Sequence, residues 1–182
     1  MKTLLHTCCG PCTIVPLRRL RAEGREVLGV YENPNIHPYT EWDRRRGALE
    51  ELAGEQHLRL LPHPGYDPRE WLRGVAFREG ERCRVCIHLR LRRVALLARR
   101  GRFEAFSTTL LYSRRQKHDL IREIGDAAGA EAGVPFLYRD WRDGWVEGIE
   151  ASKELGLYRQ TYCGCLYSEA ERYAPPRPRE IP

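Results

Sequence analysis

The chain has 182 residues, enough for one domain with a real core and too few for two ordinary ones. Its residues are 42% hydrophobic and 31% charged, the balance of a soluble globular protein. No apolar run approaches the roughly 20 residues a membrane-spanning helix needs. A formal net charge of +6 suits a polyanionic partner without identifying one. The opening "TLLH" is too short for the apolar core of a signal peptide, so the sequence predicts a cytoplasmic protein with no membrane partner.

In chain order, Lys2 to His6 reads as a short buried strand. Pro11 suits the first turn of a helix through "IVPLRRLRAEG" that stops near Gly24, with Pro16 predicting an irregular first turn. "EVLGVYE" is a second strand and "NPNIHP" a turn-forming loop. Residues 40–53 carry a helical pattern, followed by a third strand at "LRLLP". Asp67-Pro68 caps and opens a helix at "REWLRGVAF", and another covers about 84–100 and ends at Gly101. "FEAFSTT" is the next strand, Ser113 caps a helix running to about Ala128, and "VPFLY" is a last strand. No internal repeat is visible. The alternation predicts an α/β fold: a mainly parallel, Rossmann-like sheet flanked by helices, with a cysteine-rich metal site at the C-terminal ends of its strands. Residues 1–170 form a single metal-binding catalytic domain on this reading, and 171–182 a Pro-rich tail, extended or disordered.

The seven cysteines fall into three sets. "TCCGPCT" carries Cys8, Cys9 and Cys12 where a strand gives way to a helix, whose N-terminal dipole favours thiolates. "CRVC" places Cys83 and Cys86 on one helical face, and "YCGC" brackets Gly164 with Cys163 and Cys165. Cytosolic disulfides are rare and an odd total fits them poorly, so the sets point to metal or redox chemistry rather than to thiols filling space under a helix. A tetrahedral zinc site and a cubane iron–sulfur cluster both take up to four thiolates, so a single centre leaves thiols over; spacing does not separate iron from zinc.

"LLHTCCGPCT", "YENPNIHPYTEWDRR", "ERCRVCIHLRL", "FSTTLLYSRRQKHDLI" and "ELGLYRQTYCGCLYS" together resemble the QueH-type epoxyqueuosine reductases, over about residues 2–168. The resemblance implies a cobalamin-independent oxidoreductase that reduces the epoxide of epoxyqueuosine to queuosine at the wobble base of tRNA with a GUN anticodon. It also implies a [4Fe-4S] cluster, an additional iron ion (zinc as purified being an alternative) and an external electron donor. On that basis Cys8, Cys83, Cys86 and Cys163 are expected to hold the cluster, with Cys9, Cys12 and Tyr162 catalytic. All seven cysteines, Cys165 included, then serve as metal ligands. Cys12 stands where some relatives carry an aspartate.

Around these sets, His6 either orients a ligand or is a satisfied core histidine. Asn33 and Asn35 either read the substrate or form the turn, and Thr108, Thr109 and Tyr112 end a strand aimed at the same crevice. Arg114, Arg115, Lys117, Arg159 and Gln160 are candidate RNA contacts; Trp141, Trp145 and Tyr158 are candidate stacking surfaces. "DRRRG" and "LARRGR" read as ordinary helix faces. Two rivals stand beside this reading. One is a non-catalytic zinc protein that binds RNA. The other is an ATP-pyrophosphatase-type enzyme, which the absence of S-G-G-x-D-S from "TCCGPCT" disfavours.

Overall fold

The computed structural model describes residues 1–63 and 65–175. Strand β1 (Lys2–His6) is central, with β2 (Glu26–Val30) on one side and β3 (Ala105–Thr108) on the other, all parallel. Their residues are buried on both faces, as near-continuous apolar runs in a parallel sheet require. His6 pairs with both Val30 and Thr108, so the three strands stop along one line and their following loops emerge side by side.

Helix α1 (Gly10–Ala22) links β1 to β2; α2 (Tyr39–Glu55), α3 (Arg69–Val75) and α4 (Arg82–Arg100) separate β2 from β3. The chain then adds α5 (His118–Ala132), α6 (Trp145–Glu154) and α7 (Leu166–Tyr173). Strand order reverses at β1, and right-handed crossovers therefore put α1 on one face of the sheet and α4 on the other. α1 packs against α2 and α6, and α4 against α5. On α4 the buried Ile87, Leu91, Val94, Ala95 and Ala98 follow helical spacing and meet the sheet. The α/β fold expected from the alternation is the one observed.

Several boundaries differ. "LRLLP" and "VPFLY" make only isolated parallel bridges, Gly29 with Leu60 and Phe106 with Phe136. Pro62 and Pro135 lack the N–H that a longer ladder needs. Ser113 does not cap α5; its Oγ accepts from the Arg115 N–H at 3.2 Å, closing a local turn, and the helix begins at His118. Pro16 sits inside a regular α1 rather than marking an irregular first turn, and it leaves the Cys12 carbonyl without its helical partner. α7 carries residues 171–173, and the remainder of the Pro-rich segment from 176 onward lies outside the described residues.

Candidate metal centre

The line of strand ends delivers the first cysteines. Cys9, extended at φ −174°, is the N-cap of α1, two residues before Pro11 in its first turn. Gly10 is needed for packing here, because a Cβ would collide with the Ala48 carbonyl on α2. The Sγ atoms of Cys8, Cys9 and Cys12 all lie within 4.8 Å of one another, buried. Among the described residues they are the single such set of three cysteine, histidine or acidic ligands.

The neighbouring Cys12 and Cys9 thiols hold Cys8 well below the usual thiol range, with Thr109 and His6 adding to it. The Cys8 backbone N–H donates to Thr109 Oγ1 at 3.1 Å while that hydroxyl donates to the Cys8 sulfur at 3.3 Å. Burial pushes Cys9 up; the neighbouring Cys8 and Cys9 sulfurs push Cys12 up. Three buried sulfurs this close together suit a thiophilic ion, which displaces their protons on binding.

The other two sets share a second neighbourhood. Cys83 and Cys86 lie in the first turns of α4, and Cys86 packs with Cys165, Trp71 and Val75. Burial drives the Cys86 thiol up to about 12; nearby Arg90 opposes this, and the charges of Cys163, Cys165 and Cys83 reinforce it. Cys165 caps α7, its sulfur accepting from the Ser168 N–H at 3.4 Å. Gly164 has φ +136°, a conformation that favours glycine, and a Cβ there would press on Ile36 and Arg45. Arg45, inside the "DRRRG" that read as a plain helix face, is 2% exposed. It pairs with Glu41 at 2.6 Å and donates to the carbonyls of Cys163 (2.9 Å) and Tyr162 (3.0 Å). The His37 N–H holds the Gly164 carbonyl at 2.7 Å from the other side.

A cleft of about 660 Å³ opens over both neighbourhoods, lined by Cys8, Cys12 and Cys163 among others. Arg115, Arg159, Gln160 and Tyr162 also line it; Arg114 and Lys117 do not. Arg114 is exposed and donates to the Arg142 carbonyl at 3.3 Å. Gln160 points inward, donating to Cys12 Sγ at 3.3 Å. Gln116, which the sequence did not single out, does the same for Cys163 Sγ at 3.3 Å. The Tyr162 hydroxyl donates to the His37 carbonyl, and burial raises it, so the phenol keeps its proton.

His6 is a core histidine. Its Nε2 meets the Glu32 carbonyl at 3.0 Å, which fixes the proton there, and Nδ1 meets Thr108 Oγ1 at 2.8 Å. Burial lowers it to about 4. Asn33 donates to the Thr7 carbonyl and Asn35 accepts from Arg90; both are buried. Trp141 is buried in the core, and the Tyr158 hydroxyl donates to Glu41. Trp145 lines the cleft, stacked on Tyr112 at 5.2 Å between ring centres.

The parallel sheet and this pocket define a class: an α/β protein whose cysteine triad can hold a metal ion at the carboxyl edge of its strands. Residues 3–171 match the family model described as "Epoxyqueuosine reductase QueH". An epoxyqueuosine reductase QueH from Dehalococcoides mccartyi is 38% identical, over 96% of this chain and 96% of that one. A second, from Thermotoga maritima, is 37% identical over 93% and 91%. The chain belongs to the epoxyqueuosine reductase QueH family and is an oxidoreductase. The crystal structure of a predicted subunit of a tRNA methyltransferase from Methanocaldococcus jannaschii shares the fold, with a TM-score of 0.57 over 85% of this chain and 76% of that one at 10% identity. No helix among the described residues is long and apolar enough to cross a membrane.

Proposed function

We propose that this protein reduces the epoxide of epoxyqueuosine to the alkene of queuosine at the wobble position of tRNA with a GUN anticodon. The reaction takes two electrons from an external donor and two protons, and it releases the oxygen as water. The observation that carries this reading is the buried Cys8–Cys9–Cys12 set opening into a cleft with Arg115 and Arg159 on its walls. Thiols for a metal and cations for RNA phosphates meet in one place.

The grouping of the thiols supports two centres. Two thiolates on one zinc-like ion, each about 2.3 Å from it, lie no more than about 4.6 Å apart. Cys8, Cys9 and Cys12 suit such an ion, iron in the working enzyme with zinc as an alternative occupant. Cys83, Cys86, Cys163 and Cys165 share a neighbourhood, yet no three of them converge within 4.8 Å, which favours a wider group, a [4Fe-4S] cluster. This division moves Cys8 from the cluster, where the sequence put it, to the ion. When bound, the cluster supplies electrons one at a time and the ion supplies electrophilic assistance at the epoxide.

The chain's own groups do the rest. Thr109 and Gln160 hold the sulfurs of Cys8 and Cys12 in place by hydrogen bonds. Tyr162 lines the cleft and retains a proton at its hydroxyl. Arg115 and Arg159 hold the anticodon backbone, while Trp145 on its Tyr112 support offers a face for an unstacked base.

Anaerobic isolation with iron and sulfide counts and an EPR spectrum tests the cofactor. Incubation with epoxyqueuosine tRNA and a reductant, read by nucleoside mass spectrometry, tests the reaction. Iron with labile sulfide, loss of one oxygen from the nucleoside, and loss of both signals in C83S and C86S are expected. Zinc without sulfide and an unchanged nucleoside would instead assign the non-catalytic RNA-binding protein.

A further inference from the structure

Arg90 is 2% exposed and lies one helical turn beyond Cys86 on α4. Buried arginines are normally paired with an anion, and the neighbouring cases obey this: Arg45 pairs with buried Glu41, and buried Glu32 with Arg93. Arg90 meets no carboxylate among the described residues. Its Nε donates to the neutral Asn35 Oδ1 at 2.6 Å, and Asn35 Nδ2 is itself buried without a partner. The side chain lines the cleft beside Cys8, Cys12 and Cys163.

A guanidinium in a low-dielectric site needs a compensating negative charge; the carboxylate on the cleft wall, Glu171, is already paired with Arg82, which leaves the thiolates as the anions for Arg90. We infer that Arg90 is the counter-ion of the thiolate-held centre and raises its reduction potential, with Asn35 aiming the guanidinium. The inference rests on the reading of the site as a redox metal centre. Adding an electron makes a thiolate-ligated cluster more negative, and a fixed cation alongside favours that reduced form. Arg90 is thus a positioning and charge-setting residue, not one that touches the epoxide.

The test compares R90Q, R90K and N35D in the metal-loaded enzyme, by iron and sulfide content, redox titration followed by EPR, and tRNA affinity at several salt concentrations. R90Q removes the charge. N35D keeps the packing and places a carboxylate against the guanidinium, cancelling the charge in place. Both should retain the cluster and shift its potential downward. The expected shift is about tenfold in the ratio of reduced to oxidised centre, or about 59 mV for one electron. R90K should shift it less. Loss of iron from R90Q and N35D with retention in R90K supports the same conclusion, since charge separates them; equal loss in all three makes Arg90 a packing residue. An unshifted potential in R90Q and N35D overturns the inference, and a weakened, less salt-dependent tRNA affinity alongside it would assign Arg90 to a phosphate instead. A wild-type protein without a redox-active centre overturns both this inference and the proposed reaction, whereas an unshifted but functional R90Q overturns this one alone.

Discussion

Arg45 bears more of the site's architecture than any ligand does, and R45M tests that directly. Methionine keeps the apolar stem and removes every donor. Glu41 is then left buried with Tyr158 as its remaining partner, and the carbonyls of Cys163 and Tyr162 lose their guanidinium donor. Removing one partner of a buried ion pair costs about 3–5 kcal/mol, because the other charge stays uncompensated. For a chain of this length, about 2–4 °C of melting temperature per kcal/mol gives a fall of about 6–20 °C. Adding E41Q removes the stranded charge, so R45M/E41Q should regain part of the loss, leaving about 1–3 kcal/mol for the two carbonyls. Urea unfolding of the wild type and the three variants, followed by circular dichroism under reducing conditions, measures the cycle. R45M should also lose iron, since the Cys163–Cys165 loop is no longer clasped. An R45M stability within about 0.5 kcal/mol of wild type, or a double variant no more stable than R45M, refutes the reasoning.

Three further outcomes are expected. C12A should keep the sulfide-containing signal but lose the second iron and most turnover, while C12D, harder as a ligand yet of the same charge, should retain that iron; full iron and normal turnover in C12A would make Cys12 a plain buried thiol. R115A should weaken tRNA binding and reduce its salt slope by about one, more than R114A, whose guanidinium is held on the surface at the Arg142 carbonyl; equal effects from both would remove the cleft from the RNA footprint. Burial lowers His37 to about 4, below its unfolded value near 6.5, so the unfolded chain binds a proton that the folded chain refuses. Stability should be full above about pH 6.5 and fall as pH drops through about 4, and H37N should flatten that fall in pH-dependent urea unfolding; an unchanged profile would place the titration elsewhere.

The α/β class was legible because β1, β2 and β3 are short apolar runs between helical repeats, and the three cysteine sets were legible because thiols cluster so rarely by chance. Which thiols meet was not legible. The grouping of Cys8 with Cys9 and Cys12 depends on the extended Cys9 and the close approach of α1 to α2 at Gly10, neither of which leaves a pattern in the sequence. Arg45 sits between Arg44 and Arg46, and only the fold decides which of three adjacent arginines turns inward. Gln116 and Gln160 reach sulfurs across 47 and 148 residues of chain, beyond any local signal. The helices α6 and α7 went unread, although the exposed and half-buried faces of "WVEGIEASKE" alternate at helical spacing.

Gln160 and Cys12 touch although 148 residues separate them, and Thr109 reaches Cys8 across 101. The central strand waits for β3, and the pocket that opens beside it is closed by the segment before α7, far along the chain. Long-range closure of this kind is slow, and partly synthesised chains expose what the finished fold hides. A chain that stops before Gln160 lacks the amide donor to the Cys12 sulfur and carries neither Cys163 nor Cys165. The first cysteine set is therefore finished by residues far along the chain, so a truncation before Gln160 should alter the chemistry of Cys12 although it leaves every residue of the first three strands in place.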